Sequence, residues 1–169
     1  IMNQTFHGGG RLAVSMDGKD IAQGGPGSEV RLLTQRELRR GWGKKWQVDS
    51  TIRVDGSDQL SISKDGLRIA VMSSPEEGGI RLFNKNGSLI KTFTGLSHPP
   101  ATVALSPDGK WIAAGSKSDA DFIPKGFEDE GKQVMVWSMN GTLRHTFDSM
   151  SLVSGSPFSA DGTSIALHD

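Results

Sequence analysis

An all-β chain of tandem four-stranded antiparallel units, the blades of a β-propeller, is predicted by three observations. One motif recurs four times along the 169 residues. Each copy consists of two short apolar runs around an Asp-Gly turn. The 22 glycines follow no collagen-like period, so they read as turn residues.

The recurring motif is Ser-x-Asp-Gly-x-x-Ile-Ala, and it lies within residues 12–22, 60–70, 103–113 and 156–166. Its Asp-Gly pairs begin at Asp17, Asp65, Asp108 and Asp161, in steps of 48, 43 and 53 residues. These steps lie at or somewhat above the roughly 40–45 residues of a propeller blade. Gly accepts positive φ and Asp tolerates it, so each motif is a hairpin of two strands, a and b.

A second pattern supplies strands c and d. Residues 80–83 and 134–137 are apolar or alternating runs, Asn86-Gly87 and Asn140-Gly141 are turns, and residues 89–93 and 143–147 share Leu and Thr-Phe without a gap. In the first repeat, residues 30–33 are followed by 38–42, which keep a Leu-x-x-x-aromatic spacing ending at Trp42. The expected blades are therefore about 10–42, 60–93 and 102–147, with a lone d strand at 1–6 and an a–b hairpin at 156–167. A closed ring needs about four to eight blades, so the expectation is a segment of a longer propeller, or one completed by another chain. The expected core includes Val14, Ile62, Ile69, Leu82, Leu105, Ile112, Val136 and Trp137.

Residues 103–116 followed by 134–137 resemble the body of a WD repeat, and the resemblance extends over nearly the whole chain. The terminal Trp-Asp of that family stands here as Trp137-Ser138, Phe83-Asn84 and Leu33-Thr34. Its Gly-His pair is at best the displaced Gly95 and His98, or His7-Gly8. The buried Asp–His–Ser–Trp network of the family is therefore not carried over. Residues 69–83 are also similar to the strand–acidic loop–strand unit of FG-GAP propellers. The Ser-Pro-Asp-Gly of residues 106–109 is shared with periplasmic and peptidase-associated propellers. These resemblances imply a non-enzymatic scaffold that binds a protein or peptide. The alternatives are a calcium-dependent adhesive propeller and the non-catalytic propeller of a larger enzyme.

Strand order divides the expected functions between two faces. The a–b and c–d turns share one face. The other carries the irregular segments 43–59, 116–133 and 148–155, and binding residues concentrate on such loops. Trp46, Phe122, Ile123 and Phe127 are the candidate partner anchors, because aromatic side chains dominate interfaces. Asp119, Asp121, Glu128, Asp129 and Glu130 are hard oxygen donors of the kind calcium takes, in a spacing that fits no EF-hand. A solvated acidic loop explains the same residues.

Arg36, Arg39, Arg40, Lys44 and Lys45 surround Trp42, a pattern that can hold nucleic acid. Trp42 aligns with the core positions Phe93 and Phe147, which favours a packed ring and makes nucleic acid the weaker reading. With 19 basic and 19 acidic residues, no net field steers the chain to a polyanion. The lack of cysteine excludes disulfides and thiolate zinc sites. No apolar run reaches the roughly 18 residues of a membrane span. His7, His98, His145 and His168 have no zinc spacing, and no Gly-x-Ser-x-Gly elbow occurs. No catalytic residue and no cofactor beyond the calcium alternative are expected, and the compartment is left open between cytoplasm and exterior.

Overall fold

The computed structural model describes residues 11–25, 28–38, 43–54, 59–73, 79–116, 132–153 and 155–169. The four Ser-x-Asp-Gly motifs fold into the same turn. The glycine N–H donates to the serine carbonyl at 2.8–3.0 Å, and the glycines hold φ of +68°, +70°, +70° and +73°. Each serine hydroxyl donates to its aspartate: Ser15 to Asp17 at 2.8 Å, and Ser63, Ser106 and Ser159 to Asp65, Asp108 and Asp161 at 2.6 Å. The same oxygen accepts the N–H that opens the second strand, from Asp20, Arg68, Trp111 and Ser164 at 2.9–3.0 Å. Each carboxylate also accepts the N–H two residues on, from Lys19, Leu67, Lys110 and Thr163. The serine hydroxyl, the aspartate carboxylate and the glycine N–H are thereby bonded within the turn, and the strand register on either side is fixed.

Three four-stranded antiparallel sheets result. The first is β1 (Leu12–Val14), β2 (Asp20–Gly25), β3 (Glu29–Glu37) and β4 (Lys44–Arg53). The second is β5 (Leu60–Ile62), β6 (Arg68–Met72), β7 (Ile80–Asn84) and β8 (Leu89–Phe93). The third is β9 (Pro100–Leu105), β10 (Trp111–Ser116), β11 (Gln133–Ser138) and β12 (Leu143–Asp148). A fourth, two-stranded sheet joins β13 (Ser151–Leu152) to β14 (Leu167–His168), with a bridge from Phe158 to Ile165. Among the described residues there is no helix.

The first blade departs from expectation in its outermost strand. The d strand is not 38–42 but Lys44–Arg53, within a stretch expected to be an irregular loop. Pairing shows why. Val30 faces Ile52 just as Ile80 faces Phe93 and Val134 faces Phe147, so Ile52 takes the core position assigned to Trp42. A register shift recurs at the same place in all three sheets, at Leu32/Leu33, Leu82/Phe83 and Val136/Trp137. Without an Asn-Gly turn, β3 and β4 continue as a longer hairpin. Thirteen residues separate Thr34 from Val48, where four separate Asn84 from Leu89. Arg36 closes that extension on Asp49 at 2.9 Å.

The second and third sheets bury both faces, because their central strands send alternate residues to the two neighbouring sheets. Ile69, Val71 and Phe83 pack with Ala22, Val30, Leu32, Ile52 and Val54 of the first blade. Ala70, Met72, Leu82 and Phe93 pack with Val103, Leu105, Ile112, Met135 and Trp137 of the third. Ala104, Ala113, Val134 and Val136 pack with Leu152, Phe158, Ile165 and Leu167. Val14 departs from the expected core. It is 54% exposed, because it faces away from the second blade and no described residue covers it.

Polar bonds cross the same seams. Buried Asp20 accepts from Thr34 of its own blade and Lys85 of the next, and Arg68 donates to the Gly109 carbonyl at 3.1 Å. Gly66 is where the second turn presses on the first blade, and a Cβ there would collide with the Asp20 carboxylate.

Ser106 is fully buried, so Ser106→Ala leaves both Asp108 and the Trp111 N–H short of a partner. It is expected to cost about 1–3 kcal/mol in urea unfolding. Gly18 and Gly66 share nearly the same positive φ, but only Gly66 meets a neighbour. Gly18→Ala should cost about 1 kcal/mol of backbone strain and Gly66→Ala clearly more. Equal losses would mean the seam contact contributes nothing.

The turn aspartates also predict an acid limb. The Lys19 N–H and then the Ser15 hydroxyl lower the pKa of Asp17. Partial burial pulls Asp65 and Asp108 upward, but the hydroxyls of Ser63 and Ser106 and the turn N–H groups outweigh it. The Ser159 hydroxyl and the Thr163 N–H hold Asp161 at about 2, below its ordinary 3.8. A carboxylate lowered in the folded state stabilises fully above its unfolded pKa and loses that contribution as pH falls through the folded one. Asp161→Asn should therefore flatten the loss of stability between about pH 4 and pH 2, measured as urea midpoints.

Candidate functional site

The Ser-x-Asp-Gly turn ends the inner strand of each blade. β1, β5 and β9 are the inner edges of their sheets. They stand side by side, tied by the Leu105 N–H to Ser61 Oγ at 3.0 Å and by the Met16 N–H to the Lys64 carbonyl at 3.2 Å. With Leu152 and Phe158 of the fourth hairpin they line a concave groove of about 720 Å³.

At one end the groove is open and apolar. Leu12 is 53% exposed, Val14 54% and Met16 69%. The charged side chains lining it, Arg11 and Lys64, are both cations. Apolar surface flanked by positive charge suits an extended peptide with apolar side chains and a carboxylate. Leu12 and Val14 were legible as a strand pair. Their exposure was not, because it depends on which neighbours lie beside β1.

The sequence-derived candidates do not gather at this groove. Trp46 sits on β4 opposite Gln35, half-buried. That end of the hairpin carries the turns, since the Gln35 N–H bonds the Lys19 carbonyl beside the first Asp-Gly turn. Phe122, Ile123 and Phe127 lie outside the described residues, as do Asp119, Asp121, Glu128, Asp129 and Glu130. The mouth of their loop is at the other end of the third blade, where Ser116 Oγ accepts the Gln133 N–H at 2.9 Å. Trp46 and that loop mouth therefore mark opposite faces. Among the described residues, no group of three His, Cys, Asp or Glu is placed to hold a metal.

The basic cluster is likewise divided. Arg36 is engaged with Asp49, and Lys44 and Lys45 are exposed on β4, while Arg39, Arg40 and Trp42 lie outside the described residues. His145 is exposed on β12, as expected for a residue aligned with Lys91, and His98 lies beside Ser97 in the connection to β9.

No family model matches the sequence, and no curated protein matches it. Solved structures do. The chain is similar to hydrazine synthase of Kuenenia stuttgartiensis at 20% identity and a TM-score of 0.65, over 92% of this chain and 42% of that one. It is similar to the C-terminal WD40 domain of Sif2 at 21% identity and a TM-score of 0.55, over 81% of this chain and 36% of that one. It thus spans less than half the length of either. At these identities the likeness concerns the fold, and together with the sheet topology it identifies a β-propeller. Among the described residues, no helix is long and apolar enough to cross a membrane.

Proposed function

We propose that this β-propeller segment is a non-enzymatic interaction module that holds a protein or peptide segment. The observation that carries the reading is the concave groove, where Leu12, Val14 and Met16 are exposed side by side between Arg11 and Lys64. Exposed large apolar residues on a rigid, pre-formed wall release water when a ligand covers them, and little ordering entropy opposes the binding. The two cations add selectivity for a segment carrying a carboxylate. The loop of residues 117–131, with Phe122, Ile123 and Phe127, is the second contact in this proposal. The residues that flank it, Ser116 and Gln133, lie at the face away from the Asp-Gly turns.

Peptides selected by display against the purified chain test the reading. Selection should enrich apolar sequences with an acidic residue. Val14→Asp with Met16→Asp should weaken them at least about tenfold while leaving the melting temperature nearly unchanged, since both side chains are exposed. If Phe122→Ala with Phe127→Ala removed binding and the groove variant did not, the loop face alone would be the site. Failure to enrich any sequence would overturn the interaction reading.

A further inference from the structure

Six Asp-Gly or Asn-Gly turns lie among the described residues, and five of them are held in the same way. The five carry Asp17, Asp65, Asp108, Asp161 and Asn140. In each, one side-chain oxygen accepts two hydrogen bonds at 2.6–3.1 Å. The donors are the serine hydroxyl two residues before it and the N–H two residues after it.

The sixth turn, Asn86-Gly87 in the second blade, departs because Asn84 stands where the others have serine. The Asn84 carboxamide accepts the Ser88 N–H at 2.9 Å, the donor whose counterparts hold the other five side chains, and also the Asn86 N–H at 3.0 Å. Among the described residues, no group bonds the Asn86 carboxamide, and the residue is exposed. Exposure does not separate the two Asn-Gly turns, since Asn140 is exposed as well. Backbone shape does not separate them either. Gly87 and Gly141 hold φ of +83° and +93°, and their N–H groups donate to the carbonyls of Asn84 and Ser138 at 2.9 and 2.7 Å. The difference is whether the carboxamide is free to rotate.

From this contrast we infer that Asn86 is a site of self-modification, deamidated by the nitrogen of Gly87 while Asn140 is protected. The Gly87 nitrogen gives its proton to solvent base and bonds to Cγ of Asn86. The Cγ–Nδ2 bond breaks and ammonia leaves, closing a five-membered imide. Water then opens either imide carbonyl, yielding aspartate or its β-linked isomer with no change of oxidation state. A following glycine permits the attack, because no Cβ shields its nitrogen. The side chain must also rotate until Cγ faces that nitrogen, a near-attack geometry that two hydrogen bonds deny to Asn140.

The modified turn packs on the first blade. A Cβ on Gly87 would stand 3.5 Å from Ile52 and 3.7 Å from Ser50. Ser50 donates to the Lys85 carbonyl at 2.8 Å, and Lys85 pairs with buried Asp20. The β-linked product adds one carbon to the main chain between residues 86 and 87, which moves the Gly87 N–H off the Asn84 carbonyl. Deamidation thereby loosens the seam between the first and second blades and spares the third blade.

The test ages the intact 169-residue chain in mildly alkaline buffer and maps its peptides by mass, with isoaspartyl methyltransferase detecting the β-linked product. Asn86 should convert at least about tenfold faster than Asn140. In concentrated urea the two should convert at similar rates, because both are then Asn-Gly in an open chain. Asn84→Ser restores the serine of the other turns and should slow Asn86 toward the rate of Asn140, whereas Ser138→Ala should speed Asn140. Amide exchange in the aged chain should quicken at Lys85 and Gly87 and stay unchanged at Ser106 and Gly109, whose N–H groups are bonded within the third blade. Equal rates at Asn86 and Asn140 in the folded chain, or no conversion at either, would overturn the inference. So would an Asn86 rate that Asn84→Ser leaves unaltered, or the same bias in urea, which would trace it to the flanking residues. Unchanged exchange at Lys85 would overturn the effect on the seam.

Discussion

The hydrogen bond from serine hydroxyl to aspartate carboxylate within each Ser-x-Asp-Gly turn is the constraint on which the other features rest. It holds the carboxylate where it caps the next N–H, and it points the serine oxygen at the N–H that opens the following strand. A one-residue slip would send every side chain of strands β2, β6 and β10 to the opposite face, placing Ile where the neighbouring seam is packed around Ala. The turn thus decides which residues face which blade before any blade contacts another. The c–d turn of the third blade uses related chemistry, with Ser138 donating to Asn140 at 2.6 Å. This accounts for Ser138 standing where a WD repeat has aspartate: here the residue serves the turn.

Once the register is set, the blades have little freedom in how they stack. Each sheet is apolar on both faces, so it must be covered on both, and the turns must fit against the neighbouring sheet. The packing of Gly66 on Asp20, and of Gly162 with Asp108 2.7 Å from where its Cβ would be, shows that the turn glycines serve the seam as well as the backbone. One residue type therefore answers two demands, positive φ within the blade and close approach between blades.

The places where covering is incomplete give the molecule its surface chemistry. At β1 the uncovered side chains are Leu12, Val14 and Met16, at the concave groove. At the fourth hairpin they are Phe147, Ile165 and Ala166. Leu12, Val14, Phe147, Ile165 and Ala166 have apolar counterparts that are buried or half-buried elsewhere in the repeat, so their exposure follows from position in the array; Met16 aligns with Lys64, which is exposed as well.

The sequence by itself determined the all-β class and its four-stranded antiparallel sheets, because Asp-Gly and Asn-Gly are local signals that need no distant partner. The d strand of the first blade was legible too, in Val48-x-x-Thr51-Ile52 beside Leu89-x-x-Thr92-Phe93. The aromatic spacing ending at Trp42 competes with it, and only cross-strand pairing selects Ile52. Tertiary structure alone decided that Val14 is exposed while Leu105 is buried, that Trp46 and the 117–131 loop mouth lie at opposite faces, and that Phe147 is open while Phe93 is closed. Residue type and periodicity state which side of a strand is apolar. Whether that side is covered depends on contacts between residues tens of positions apart, and a repeat writes the same letters whether its neighbour is present or not.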